Sequence, residues 1–220
     1  AGLAVLIIIA IPFLSLRLGF SDAGNQPESQ TTRRAYDLLS EGFGPGFNGP
    51  LVLAARTPEG PDSLATLESA LSDVPGVART SPVLAGPDES AAVIQVIPTT
   101  SPQSERTENL VKRLRETVIP QATRGTGARV LVGSITAGGV DTSEYLAARL
   151  PIFIGAVLGV SFLLLLVVFR SVLVPLKAVI MNLLSIGAAY GVVVAIFQWG
   201  WFAGPLGVRA TGPIEPFIPM

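Results

Sequence analysis

The sequence predicts a membrane protein in which transmembrane helical segments carry one α+β domain outside the lipid. Three observations predict this. Residues 150–169 and 178–197 are two runs without an acid or a base. Each is about 20 residues long, enough for a helix to cross roughly 30 Å of hydrocarbon. A shorter apolar run, residues 1–16, opens the chain, and the stretch between residues 16 and 150 has the composition of a soluble domain. The mean hydropathy of +0.56 therefore comes from the three apolar runs.

Composition removes several function classes. Without Cys or His, the chain has no disulfide, no thiolate or imidazole metal ligand, and neither of the commonest nucleophile and base pairs. Residues 20–146 hold 15 acids and 10 bases, a net −5 against −1 for the whole chain. That domain lacks the basic patch a nucleic-acid partner requires. No acid or nucleophile cluster has a telling spacing, so the chain is not read as an enzyme. No catalytic, cofactor-binding or metal residue is nominated, and no cofactor is expected.

The polar domain begins at a turn-rich stretch, residues 22–29. A helix is predicted from Thr32 to Glu41, with Ala35, Leu38 and Leu39 on one face. It should stop in the Gly- and Pro-rich run of residues 42–50. That run lacks the Gly-Lys-Ser/Thr of a phosphate loop and reads as a flexible or tight-turning connector. Residues 51–55 suit a buried strand. Asp62 is placed to cap a helix carrying Leu64, Leu67 and Leu71, ending at Val74-Pro75-Gly76. Residues 77–84 and 91–97 are strand candidates joined by a turn at Gly86-Pro87-Asp88. Ser101-Pro102 reads as cap and first helical residue, ahead of a stripe of Leu110, Val111, Leu114 and Val118. Residues 129–132 form a last strand. The order strand, helix, strand, strand, helix, strand is the ferredoxin-like βαββαβ arrangement, a four-stranded antiparallel sheet with two helices on one face.

Orientation follows from the link between the two long runs, where Arg170 and Lys177 are the charges. Short positive loops stay in the cytoplasm. The organisation read from this is a truncated transmembrane helix over 1–16, an extracytoplasmic domain over 17–148 and a transmembrane helix over 149–169. A cytoplasmic loop over 170–177 leads to a transmembrane helix over 178–203. An extracytoplasmic loop over 204–220 leads into a further helix. The chain is expected to be a piece of a longer protein. Asp141, Glu144 and Arg149 read as a solvated helix end above the bilayer.

Both long runs carry a small-residue pair at spacing four, Gly155 with Gly159 and Gly187 with Gly191. Such pairs let helices approach closely in lipid, either as ordinary bundle packing or as sliding faces. Asn182 and Ser185 share a helical face and need polar partners, from a neighbouring helix or a wet path. Gln198, Trp199 and Trp201 suit an interfacial anchor. Neither long run contains the charged group that a proton relay uses.

Particular residues resemble a known family. Phe43-Gly44-Pro45-Gly46-Phe47-Asn48-Gly49-Pro50, within residues 33–50, is similar to the start of the second extracytoplasmic domain of MMPL transporters, in the resistance–nodulation–division (RND) superfamily. Phe169-Arg170-Ser171, Pro175-Leu176-Lys177, Met181-Asn182-Leu183-Leu184-Ser185, Phe197-Gln198-Trp199-Gly200 and Gly212-Pro213-Ile214-Glu215 resemble that family's later membrane segments. The resemblance implies helix seven, a porter domain, and helices eight and nine of a two-fold repeated transporter. It implies proton-driven export of lipids or other hydrophobic compounds across the bacterial cytoplasmic (inner) membrane, with relay residues outside this segment. Its partners would be membrane lipids, a lipid-like cargo, the remaining helices of the same protein and a homo-oligomer. The competing reading is a non-transporting receptor or scaffold, or a secretion-accessory subunit, with a ligand-binding ectodomain.

Overall fold

Alternation along Leu51–Arg56 makes it the central strand, β1, with Leu51, Leu53 and Ala55 buried while Ala54 and Arg56 face outward. The computed structural model describes residues 2–202 and 212–215. They fall into two units, Asp22–Asp141 and the described parts of Ala1–Ser21 with Thr142–Met220.

In the first unit, β1 pairs antiparallel with β4 (Ala91–Pro98) on one side and β5 (Arg129–Gly133) on the other. Strands β2 (Val77–Thr80) and β3 (Leu84–Ala85) both pair antiparallel with the far edge of β4, giving the order β2-β4-β1-β5. One face of the sheet is covered by helices α3 (Ala65–Ser72), α4 (Glu105–Arg113) and α5 (Ile119–Ala122). A single π turn, Leu114–Val118, joins the last two. Leu64, Leu67, Leu71, Leu110, Val111 and Leu114 bury themselves against Leu51, Leu53, Ile94 and Val96. Each fully buried Leu contributes about 1.5–3 kcal/mol. The result, together with the membrane-length helices, is a mixed helical and sheet architecture.

Several local expectations shift. Helix α2 (Thr31–Phe43) runs past Glu41 and ends at Gly44, whose φ of 92° favours glycine. The following Pro45–Asn48 forms a 3-10 turn, a tight-turning connector. A β-carbon on Gly46 would lie 1.8 Å from the Pro98 carbonyl oxygen, so this turn packs directly on the end of β4. Asp62 does not cap α3. It sits inside a 3-10 turn, Pro61–Leu64, pinned by the Ser63 hydroxyl donating to the Gly60 carbonyl at 2.6 Å. Ser104, not Ser101, caps α4, accepting from the Arg106 N–H at 3.3 Å. The Ser101 carbonyl is already engaged by the Thr107 hydroxyl at 2.8 Å and by the Ser104 N–H at 3.0 Å. The strand expected over 77–84 splits at Ser81-Pro82, because proline has no N–H for a ladder.

In the second unit, α1 (Gly2–Ala10) passes into a 3-10 turn, Ile11–Ser15, at Pro12. Helices α6 (Ile135–Phe169) and α7 (Leu173–Phe197) are long and apolar enough to span a membrane. Helix α6 begins well before the uncharged run, so Asp141, Glu144 and Arg149 are helical. Asp141, where the first unit ends, pairs with Arg115 of that same unit, and farther along α6 the Arg149 guanidinium lies 4.7 Å from the Tyr145 ring centroid. Of the expected loop over 204–220, residues 212–215 are described. There Ile214 bridges in parallel to Leu18, with its N–H donating to the Arg17 carbonyl at 2.9 Å. The remainder of that expectation lies outside the described residues.

Candidate functional site

Helix α7 meets α1 through the missing side chains of two glycines. Gly187 and Gly191 are buried on one α7 face. A β-carbon at Gly187 would touch the Ala10 β-carbon at 3.4 Å, whereas one at Gly191 would stand 1.9 Å from the Ile9 carbonyl oxygen. The contact at Gly191 is therefore backbone against backbone, the close approach that small residues permit in lipid. Just beyond it, Pro12 lacks the N–H that would continue the α ladder, and α1 tightens into its 3-10 turn. Phe13 packs near Tyr190 at 6.0 Å between ring centroids. Farther along, the Gln198 side chain clasps one peptide unit. Its Oε1 accepts from the Arg17 N–H and its Nε2 donates to the Arg17 carbonyl, both at 3.3 Å. Sequence reading assigned Gln198 to the interface with the two tryptophans. The tryptophans do pair edge to face at 5.4 Å, but Gln198 also ties the two helix ends together. No local pattern signals a bond across 181 positions.

The other small-residue pair behaves differently. Gly155 and Gly159 are exposed, and β-carbons there would meet nothing within 4 Å. Ser185 satisfies its hydroxyl within its own helix, donating to the Met181 carbonyl at 2.8 Å, and Asn182 is exposed.

A polar knot closes the start of the sheet domain. The Asp22 carboxylate accepts from the Gly24 N–H at 2.7 Å, and the Asn25 side chain accepts from the Asp22 N–H at 3.2 Å. Arg33 on α2 donates to the carbonyls of Gly24 at 2.6 Å and Gln26 at 3.1 Å, and pairs with Asp37 at 2.9 Å. The second Asp22 oxygen is buried beside Tyr36 and Gln103 without a well-aligned hydrogen bond. Burial accordingly pushes the Asp22 carboxyl above its ordinary range, against the Gly24 N–H, Tyr36, Gln103 and Arg33, which all favour the charge. Burial, then the Asp22 charge, pushes the Tyr36 phenol up to about 12. Sequence reading treated residues 22–29 only as a turn.

A cavity of about 380 Å³ opens on the helical side of the domain, with Ala70, Val74, Val118 and Ala122 in its wall and Asp73 and Arg113 at its polar margin. Among the described residues no group of acids could hold a metal ion.

Residues 53–205, covering most of the sheet and both long helices, match the MMPL family. The chain belongs to the MMPL family. It is 36% identical over 223 residues to membrane protein YdfJ of Bacillus subtilis, covering 100% of this chain and 30% of that protein. It is 30% identical over 226 residues to a protein named heme uptake protein MmpL11 in Mycobacterium tuberculosis, covering 100% and 23%. It is 28% identical over 227 residues to the mycolic acid-containing lipids exporter MmpL11 of Mycolicibacterium smegmatis, covering 100% and 24%. The chain thus spans less than a third of the length of these relatives. MMPL proteins, within the RND superfamily, are membrane transporters rather than catalytic enzymes. Membership makes this a multi-pass bacterial membrane protein with an extracytoplasmic region.

Proposed function

We propose that this MMPL chain is the front of the second half of a proton-driven exporter of lipids or other hydrophobic compounds. In this reading α1 is the end of helix seven, α6 and α7 are helices eight and nine, and residues 17–148 form an extracytoplasmic porter domain. The link at 170–177 faces the cytoplasm of a bacterial cell whose inner membrane holds the protein. The strand order β2-β4-β1-β5, antiparallel throughout, supports a ferredoxin-like βαββαβ porter domain, with β3 as a short addition to the edge of β4. Proton-relay residues belong to helices beyond this chain, and a homo-oligomer is the proposed assembly.

The observation that carries the reading is the family match across residues 53–205, since it covers the sheet and both membrane-length helices together. The Gly191–Ile9 contact supports a mechanical role for α7. Protonating buried carboxylates elsewhere shifts helix packing, and a backbone-to-backbone seam passes such a shift on without slack. One charge crossing 100 mV is worth about 2.3 kcal/mol, enough to bias a two-state packing appreciably. The relatives' names cover haem uptake and lipid export, and the chemistry common to both cargoes is a large apolar body.

The test reconstitutes the complete protein in vesicles with an imposed pH gradient and follows a fluorescent lipid. Movement that stops when a protonophore collapses the gradient is expected. Movement indifferent to the gradient, or none with folded protein, overturns the proposal.

A further inference from the structure

The face of the sheet turned away from the helices breaks the usual rule for antiparallel sheets, apolar inside and polar outside. Register places Leu84, Val93, Ala54 and Leu131 side by side on neighbouring strands β3, β4, β1 and β5. All four are exposed, Leu84 at 72% and Leu131 at 59%. With strands about 4.8 Å apart, the row is about 14 Å long. The next outward position on β1 and β5 is occupied by Arg56 and Arg129, which are directly opposed in the ladder. Like charges facing each other across a ladder destabilise it, and neither arginine has an ion pair among the described residues. None of the five strands contains an acid, although residues 20–146 carry a net −5. The carboxylates of the domain all sit on helices and loops, Glu59, Asp88 and Glu89 in loops adjoining this end of the sheet, so the strand residues of this face are themselves apolar with two arginines at one end.

We propose that this face binds an amphiphile with an anionic headgroup, its apolar body along Leu84–Val93–Ala54–Leu131 and its headgroup between Arg56 and Arg129. An anion there removes the repulsion between the two guanidiniums and accepts their N–H groups as charge-assisted hydrogen bonds. The apolar row supplies the contact that a simple inorganic anion cannot use. The proposal deepens the transporter reading by naming the charge of the cargo and the surface it meets, and it rests on that reading for the step of moving the cargo.

The experiment uses the complete protein in nanodiscs, with dansyl-labelled undecanoic acid and its methyl ester as probes. The acid is expected to bind about tenfold more tightly than the ester. The double variant Arg56→Gln/Arg129→Gln should lower acid binding about tenfold and leave the ester unchanged. Arg56→Lys/Arg129→Lys should retain most of the acid binding, which separates charge from misfolding. Leu131→Cys should react with maleimide in the ligand-free protein and be protected by the acid. Equal binding of acid and ester, an unchanged double variant, or a Leu131→Cys already shielded without probe overturns the proposal, the last by placing another part of the polypeptide on the face. Lipid movement measured in parallel keeps the two readings apart. Intact binding without any transport sinks the transporter, and transport with indifferent arginines sinks the site.

Discussion

The carbonyl oxygen of Ile9 lies 1.9 Å from the point where a β-carbon on Gly191 would stand, so α1 and α7 touch through their backbones. Gly191→Ala must push the helices apart, at about 1–3 kcal/mol for an overpacked site. Gly187→Ala meets only a 3.4 Å contact with a methyl group and should cost less than half as much. Thermal unfolding of both variants of the complete protein in detergent checks the order. Transport should fall for Gly191→Leu at equal expression.

Gly46→Ala should destabilise the sheet domain by a similar amount, about 1–3 kcal/mol, because its β-carbon would enter the Pro98 carbonyl at 1.8 Å. The neighbouring Gly44 has open space around it, but its φ of 92° and ψ of 153°, a region that almost only glycine adopts, make Gly44→Ala cost about 1–3 kcal/mol through backbone strain alone. Denaturant unfolding of the two variants measures the clash and the strain separately.

The Tyr36 phenol gives a pH prediction. Its folded value of about 12 lies above the ordinary 10.0, so the folded state holds the proton more tightly. That contribution to stability is fully present below pH 10 and is lost as pH rises through 12. Tyr36→Phe should flatten the fall in unfolding midpoint across that window. Asp22, raised by burial, has the same sign at acid pH. Its contribution is present below the ordinary 3.8 and declines as pH climbs through the raised value. Asp22→Asn should remove that decline.

The Arg115–Asp141 pair joins the π turn to the first turns of α6, with side chains 30% and 54% exposed. Its geometry is bidentate, but its exposure limits its worth. Asp141→Asn should cost less than about 1 kcal/mol, and the difference should shrink in high salt. A loss several times larger, unaffected by salt, would contradict this estimate.

The order of elements along the chain was legible because residues 51–55 and 91–97 are short apolar runs bounded by turn residues and because Leu64, Leu67, Leu71 and the Leu110–Val118 stripe repeat at helical spacing. Periodicity reports burial directly, and burial is what these elements are for. The errors fell where local chemistry competes. Asp62 and Ser101 are both good cap residues, yet Pro61 starts a 3-10 turn ahead of α3 and Thr107 captures the carbonyls before α4. The small-residue pairs were visible, but not which of them would be used, since Gly191 is distinguished from Gly155 only by having α1 opposite. The Gln198–Arg17 clasp and the Asp22–Tyr36 knot were illegible. Each depends on residues brought together by the fold, with nothing in their spacing to mark them. The arginines opposed on β1 and β5 needed the register, which places Arg56 against Arg129 only once both strands are paired.

Sidedness tests the account most directly. Single cysteines can be introduced at Ser69, exposed on α3, and at Val172, exposed between the two long helices, in a chain segment that has none of its own. Intact cells are then treated with a maleimide that cannot cross the membrane. The account predicts that Ser69→Cys is labelled from outside and Val172→Cys only after the cells are opened. Labelling of Val172→Cys in intact cells with Ser69→Cys protected would contradict it.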